Sequence, residues 1–534
     1  MLSTAREIRA LLDTVTGMED TQIPVIIVGC GPTGATAALE LANLSVPCIV
    51  VDAGHKRPQG SRAIAIHRTA LAVWERLGCV EPMLERGVAW RTRKTYFREH
   101  ELQTQTVPEP APGELPPFLN LSQHDTERCL LEAVARSSSL IDLRWQHTLV
   151  GLCQDQDGVT ITAETPAGLA TIRGRYLLAC DGARSATRKL LGLDFPGQTY
   201  PDRFLIADIR AKLPFPSEPR FFFDHPANPG HNILIHPQPD DVWRIDWQLS
   251  GDAVVEDERS AEVMDERIRA LIGDTPYELV WLSDYRFHQR LLKRLRHGHV
   301  FFLGDAAHLV SPFGARGMNG AIHDVENLCW KLAYVLAGRA GQDVLETYQT
   351  ERWPAQQHNQ EVTDATMRFM APRTWWQRLR RNVILRLRLK RFVDSGRMSA
   401  PFTYTTSPLL VPDDEGGWAG APELGSKMVN ADPRIRRRIG HDFVALYFTH
   451  QQVDADNVVA LPPDAVSPAG TIYLLRPDGH VAARRRNAQP ADLPGLIRRA
   501  LGQPASHPLQ QHAHVASDVD HDETLPEPLS DIVG

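Results

Sequence analysis

Apolar residues along the first 340 positions fall into two alternating rhythms. Short unbroken runs at 23–28, 48–51, 176–180 and 300–303 are each closed at once by glycine or aspartate, which marks buried strands rather than helices. Between them the period lengthens to three and four residues. An Ala- and Leu-rich helix follows Gly34 and ends near Asn43, and a second runs through Leu71, Val73, Trp74 and Leu77 to Gly78. A third opens at 121–128 and carries Leu130, Leu131, Val134 and Ala135. The last of the series, with Asn319 as its expected N-cap, repeats Ile322, Val325, Leu328, Cys329, Leu332 and Leu336, and sets His323, Asp324, Glu326 and Lys331 mostly on the opposite side. Buried strands alternating with helices predict an α/β fold with a Rossmann-like domain.

Elsewhere the period is two. Leu149 and Leu152, then Val159, Ile161 and Ala163, precede the buried run at 176–180. Strand-like segments at 203–209, 220–224, 232–236 and Val242–Leu249 predict an inserted antiparallel-sheet domain over 201–289. In the last of these Trp243, Ile245 and Trp247 share one face, and Arg244, Asp246 and Gln248 the other. A charged helix follows over 344–362 and a strongly basic amphipathic one over 374–393, before a Pro- and Gly-marked linker at 401–422. The runs Val444–Phe448 and Thr471–Leu475, the turn Arg476-Pro477-Asp478-Gly479, a strand from His480 and a helix over 493–501 predict a separate C-terminal unit. The expected division is an extension at 1–22, the Rossmann-like domain at 23–200 and 290–365, the sheet domain at 201–289, the basic helix and linker at 366–422, the C-terminal domain at 423–502, and a disordered tail at 503–534.

Composition narrows the function classes. With 534 residues and 43% hydrophobic content the chain can bury a large core in two or three domains. A net charge of −7 gives no general attraction to nucleic acid. Seven cysteines without a C-x-x-C pair read as reduced thiols, with no zinc or other metal site and a cytoplasmic location expected. No run approaches the roughly 18–20 apolar residues of a spanning helix. Residues 1–22 lack a signal peptide's apolar core and read as an amphipathic extension, or as sequence ahead of a true start at Met18. The histidines of the tail sit among Ser, Pro and acids, where disorder is favoured over metal binding.

Two stretches carry chemistry. Gly29, Gly31 and Gly34 form G-x-G-x-x-G between a strand and a helix, and Asp52 ends the next strand, where a carboxylate can hold an adenosine ribose that lacks a 2′-phosphate. Further on, Gly304-Asp305 ends a strand, and a turn through Pro312, Gly314, Ala315, Arg316 and Gly317 leads to Met318 and Asn319 at a helix start. Strand end, carboxylate, glycine turn and helix N-terminus together form a cradle for an electron-rich group.

Gly304-Asp305-Ala306-Ala307-His308, Pro312, Gly317-Met318-Asn319, Asp324, Asn327-Leu328 and Trp330-Lys331-Leu332 resemble the second flavin motif of the class A FAD-dependent aromatic hydroxylases. The resemblance implies that Asp305 binds the ribityl chain and that the glycine turn and helix start hold the isoalloxazine ring. It also implies flavin contacts for Arg62 and Gln123, and a bridging role for Asp181 in an Asp-Gly motif linked to nicotinamide binding. The inserted sheet would cover the flavin and line an aromatic pocket, which makes His225, His236, Trp243 and Trp247 candidates. One departure is Gly314-Ala315-Arg316-Gly317 in place of Gly-Gln-Gly, which would set Arg316 at the flavin edge. Residues 423–501 resemble the thioredoxin-like domain of the phenol-hydroxylase and hydroxyphenylpropionate-hydroxylase branch, with a structural or dimer-forming role. The basic helix would pack on the flavin domain, so membrane contact is not expected.

The implied activity is FAD-dependent monooxygenation of a phenolic compound, an aromatic acid of a catabolic pathway, with O2 and with NAD(P)H as a transient visitor, since no second dinucleotide motif is present. A base for the phenol proton would help, and the sequence does not identify it. A flavin-dependent NAD(P)H oxidase or reductase, and a catalytically silent FAD protein that binds aromatic ligands, would carry the same motifs.

Overall fold

The computed structural model describes residues 23–55, 63–249, 258–372, 374–394, 398–414, 416–428, 433–451, 453, 455 and 457–503. The extension at 1–22, Arg62 and the tail beyond 503 lie outside the described residues. Its first sheet has eight strands, and the five strands Val300–Phe302, Gly168–Ala179, Ile23–Val28, Cys48–Asp52 and Ile141–Trp145 are parallel neighbours in that order. Val25–Val28, Cys48–Val51, Tyr176–Ala179 and Val300–Phe302 are buried, as both-face coverage by helices requires, while the edge strand Ile141–Trp145 buries only Ile141. Parallel pairing puts their carboxyl ends at one edge. The ladder continues into the loops there, with Gly29 N donating to Val51 O, Cys180 N to Val28 O and Leu303 N to Ala179 O.

The helix Arg316–Leu336 packs between this sheet, the helix Pro32–Asn43 and the long helix Asp343–Met370. Its polar stripe does not face water, contrary to the amphipathic expectation. His323, Asp324, Glu326 and Lys331 are all buried, because Asp343–Met370 and the C-terminal domain cover that side with matching charges. Asp343–Met370 itself runs well past the expected end at 362.

A second eight-stranded sheet takes the order His308–Leu309, Glu278–Leu291, Gly197–Arg210, Val242–Leu249, Asn232–Pro237, Arg220–Phe223, Thr92–Phe97 and His100–Thr106. It is antiparallel except where Arg220–Phe223 meets Thr92–Phe97, so the sheet domain also recruits residues from before 201. The region 200–290 is not all strand, since the helix Ala261–Ile272 lies within it and packs on one sheet face.

The C-terminal sheet runs Val458–Leu461, Val444–Phe448, Thr471–Leu475, Val481–Arg485, with the first pair parallel and the others antiparallel. This mixed sheet, with the helix Leu493–Ala500 against it, is the kind on which a thioredoxin-like domain is built. The turn Arg476-Pro477-Asp478-Gly479 drives Arg476 into the first domain, where its guanidinium meets Glu351.

The basic helix is shorter than expected, spanning Trp375–Arg386 with Thr374 as its cap, and Lys390–Phe392 form a 3₁₀ turn. Ile384 and Leu385 pack inward, while Trp375, Trp376, Leu379, Val383 and Leu387 are exposed. Packing on the body of the protein therefore uses only one side of it.

Candidate functional site

Four loops converge at the carboxyl edge of the parallel sheet. Gly29 has φ +96°, and a Cβ on it would lie 2.5 Å from the Cys180 carbonyl oxygen. A Cβ on Gly34 would lie 1.9 Å from the Gly29 carbonyl oxygen, so only glycine lets this helix meet its strand. Gly31 differs, having nothing within 4 Å of its Cβ position. It precedes the helix Pro32–Asn43, whose amino end has no side-chain cap, so that end presents amides to the open space. Asp52 faces the same loop. Its Oδ2 accepts from Cys30 N at 2.6 Å and its Oδ1 from Gly54 N at 2.7 Å.

Next in the row stands Asp181, whose Oδ2 accepts from both Thr187 N and Thr187 Oγ1 at 2.9 Å. Its Oδ1 is buried without a hydrogen bond among the described residues. Arg188 ties this loop to the next by donating to Ala183 O and Ala306 O, at 2.7 and 3.0 Å. Asp305 is exposed in the 3₁₀ turn Gly304–Ala306. Gly304 sits where three segments meet; a Cβ there would lie 2.8 Å from Thr33 Oγ1 and 3.0 Å from Ala321 Cβ. Its amide donates to Asp324 Oδ2, which also bonds His308 Nε2 at 2.6 Å. The other oxygen of Asp324 accepts from Arg352 Nε and Gln356 Nε2. Burial alone would push this carboxyl up, but His308 and Arg352 hold it down to about 2. The turn is thus pinned from beneath by a permanent anion. Gln123, the first residue of the helix Gln123–Arg136, accepts from Ala63 N and donates to Glu127.

The glycine turn is capped differently from the expectation. Ala315, left-handed at φ 53°, precedes the first helical residue Arg316, so Asn319 lies within the first turn. Asn319 is a clamp there. Its Nδ2 donates to Ala315 O and Ala65 O, and its Oδ1 accepts from His67 N. It thereby joins the turn to the small sheet of Ala65–His67, Phe118–Asn120 and Val88–Trp90. Arg316 is neither solvent-facing nor paired with Asp324. It is buried and donates to Asn359 Oδ1 at 2.7 Å and Met398 O at 3.1 Å, contacts that hold helix and following chain together. Pro312 is exposed, and Gly317 and Met318 are half-buried.

Phe313 projects from this turn onto the second sheet, with edge contacts to Phe204 and Phe287 at 5.8 and 5.6 Å. That fixes which sheet face looks at the turn. Along Gly197–Arg210 it is the face of Phe204, Ile206 and Asp208, and by register that of Arg244, Asp246 and Gln248. Trp243 and Trp247 lie on the opposite face, in the apolar layer under the helix Ala261–Ile272. They are packing residues. His225 also falls outside the site, in the turn after Arg220–Phe223, where its ring packs on Phe222 and its Nδ1 accepts from Ala227 N. His236 is on the facing side, beside Arg244, and burial and the Arg244 charge push it down to about 4. Sequence reasoning therefore missed Phe204, Asp208, Arg244, Asp246 and Phe287, although the alternation of 243–248 already separated the two rows.

Residues 22–363 match the FAD binding domain family. The chain is 31% identical over 341 residues to a 3-(3-hydroxy-phenyl)propionate/3-hydroxycinnamic acid hydroxylase of Mycobacterium sp. (strain JLS), covering 63% of this chain and 58% of that relative. The chain therefore spans less than two thirds of that protein. A rifampicin monooxygenase of Streptomyces venezuelae is 32% identical over 473 residues, 86% of this chain and 94% of its own length. In fold, the chain matches the flavin-dependent monooxygenase PieE, crystallised with FAD and substrate, at a TM-score of 0.74 and 23% identity, over 91% of this chain and 100% of that one. With the glycine loops, acids and helix starts assembled at one sheet edge, and a match over most of its length, the chain belongs to the FAD binding domain family.

Proposed function

We propose that this chain is an FAD-dependent monooxygenase that uses NAD(P)H and O2 to hydroxylate a phenolic ring. One observation carries the reading: an aromatic and polar sheet face closes over the glycine turn through Phe313, Phe204 and Phe287. A protein that only stored a flavin would need no such cover. The names of the relatives, a hydroxylase of a hydroxyphenyl acid and a monooxygenase, point the same way.

The residues at the sheet edge fit FAD. Open space at Gly31, uncapped amides and a buried carboxylate oxygen on Asp181 with no partner among the described residues suit a pyrophosphate and its hydroxyl-bearing neighbours. In this reading Gly29, Gly31 and Gly34 hold the pyrophosphate, Asp52 the ribose, Asp305 the ribityl chain, and the amides of Gly317, Met318 and Asn319 the ring. Gln123, Asp181, Gly304 and Pro312 shape the surrounding wall. Bound there, FAD supplies hydride acceptance from NAD(P)H and activation of O2. The protein's part is to exclude water with Phe204, Phe287 and Phe313 and to hold the substrate ring against the flavin edge.

Asp305→Ala should weaken FAD binding roughly 10-fold or more, because ribityl hydroxyls lose their acceptor. Retained flavin absorbance after dialysis, at wild-type affinity, would remove Asp305 from the site. The activity itself is tested by NAD(P)H and O2 consumption with a panel of phenols, with product masses recorded. A product one oxygen heavier is expected. Peroxide alone would make the protein an oxidase, and ligand binding without turnover a silent flavoprotein.

A further inference from the structure

The row Arg244, Asp246 and Gln248 faces the glycine turn, and its three members are not alike. Arg244 is paired, with Nε and Nη2 each 2.8 Å from the two oxygens of Asp208. Gln248 is held by Asn232 and Asp202. Asp246, between them, has a buried Oδ1 with no hydrogen bond among the described residues. Its register partners are Ile206 and Leu234, neither able to donate. Ile206 stands two residues beyond Phe204, the ring that Phe313 touches, and alternate strand residues are about 7 Å apart. Asp246 therefore lies one step from the closure point, on the same face, with a buried acceptor that no described residue satisfies.

Two cations of the described residues that could bind a substrate carboxylate there are already engaged. Arg244 holds Asp208, and Arg316, on the turn opposite, holds Asn359 and the Met398 carbonyl. We propose that Asp246 accepts the ring-hydroxyl proton of the substrate, and that this substrate is a phenol bearing no carboxylate; this rests on the monooxygenase reading above. The phenol O–H bond breaks, its electron pair stays on oxygen, and the proton moves to Asp246. The phenolate directs the incoming oxygen to the ring. The ring carbon that takes up the oxygen releases its own hydrogen as a proton to solvent, its C–H electron pair restoring the aromatic ring, and Asp246 returns the first proton to the phenolate oxygen, so it is neither consumed nor left charged differently.

The surroundings suit a base near neutrality. Burial raises the Asp246 carboxyl, Arg244 on its own strand lowers it and Asp208 on the next strand raises it, leaving it at about 7. His236, across on the third strand, is held neutral at that pH. A carboxylate of this kind can both take and return a proton.

The test uses the holoprotein and its Asp246→Asn variant, with 4-nitrophenol, phenol and 1-naphthol against 3-(3-hydroxyphenyl)propionate. Wild type should prefer the uncharged phenols. The variant should keep its flavin spectrum and melting temperature yet lose about 10²–10⁴-fold in turnover, recovering as rising pH ionises the phenol in solution. It should also lose the nitrophenolate absorbance that wild type produces on binding 4-nitrophenol. Turnover within threefold of wild type, or a loss that high pH does not rescue, overturns the proton role. Preference for the acid overturns the substrate class. If wild type ionises bound 4-nitrophenol but yields no oxygenated product, the monooxygenase reading fails and the proton site stands.

A separate observation carries a second proposal. Trp376, Leu379, Val383, Ile384, Leu389 and Phe392, with Arg380, line a groove of about 430 Å³, and the exposed Trp375 and Leu387 stand on the same helix and the turn after it. Arg378, Arg380, Arg386, Arg388, Lys390 and Arg391 are exposed on the same segment, and no acid occurs between 371 and 393. We infer that this face docks on an anionic lipid bilayer, apolar side chains entering the headgroup boundary and arginines meeting lipid phosphates. A paired tryptophan at the edge of such a face suits that boundary. The full chain should co-sediment with phosphatidylglycerol vesicles, less so in high salt, and not with phosphatidylcholine. Trp375→Ser with Trp376→Ser should weaken the binding at least 10-fold. No binding to anionic vesicles, or self-association in sedimentation velocity that the double variant abolishes, overturns it.

Discussion

Gly34→Ala should cost at least about 3 kcal/mol of stability and abolish FAD retention, whereas Gly31→Ala should leave the fold intact and weaken FAD alone. The two glycines share one motif but meet different surroundings. A methyl on Gly34 lands 1.9 Å from the Gly29 carbonyl oxygen and 3.3 Å from Cys180 Cβ. The first of these is backbone, so the helix must lift off the strand, and overpacking of this kind costs at the upper end of the usual ~1–3 kcal/mol or beyond. A methyl on Gly31 meets nothing within 4 Å, and the backbone there is extended at φ −72°, ψ −173°, which any residue adopts. It would project only into the space assigned to the pyrophosphate, and loss of phosphate contacts worth ~1–3 kcal/mol is roughly a 5- to 150-fold weaker Kd. Thermal melts of the FAD-free proteins separate the effects, because that space is empty in both. Equal melting temperatures for Gly34→Ala and wild type would deny the close packing, and unchanged FAD affinity in Gly31→Ala would move the pyrophosphate elsewhere.

The parallel sheet was legible because each of its runs is short, apolar and stopped by glycine or aspartate, and because those stops are themselves the site. Periodicity needs no distant partner there. The second sheet shows where that reasoning ends: alternation at 243–248 separates two rows but does not say which row is covered by protein and which faces the cavity. The deciding residues are remote, since Met264 and Ile268 of the covering helix lie after the strand and Phe287 and Phe313 later still. Choosing the tryptophans as pocket residues followed from their aromatic character. Their layer is in fact the drier one, and the cavity side keeps Asp208, Arg244 and Asp246. The central helix misleads in the same way. Lys331, Glu326 and Asp324 look like a solvent face until the acids and bases at 351, 352, 427 and 476 are brought against them by elements that the sequence spaces far apart.

Those buried charges make Arg476→Ala the second large effect. Arg476 has no exposed side-chain surface. Its Nη1 and Nη2 lie 2.5 and 3.0 Å from the two oxygens of Glu351, and its Nε lies 3.0 Å from Asp478. Lys331 and Asn327, at 2.6 and 2.7 Å, and the Ser407 hydroxyl also donate to Glu351. Removing the guanidinium leaves two buried carboxylates, with Lys331 still bonded to Glu351 but only His480, which burial pushes toward its neutral form, beside Asp478, so about 3–5 kcal/mol of stability should be lost. Arg476→Lys keeps the charge but not the planar fork that serves Glu351 and Asp478 together, and should fall between. Because this side chain crosses from the C-terminal sheet to the helix Asp343–Met370, the loss should appear first as undocking. Limited proteolysis would then cut the segment before Val444 in Arg476→Ala under conditions that spare wild type. An unchanged denaturation midpoint together with an unchanged cleavage pattern would mean that apolar contacts alone hold the C-terminal domain, and that the buried ion cluster adds specificity of docking without stability.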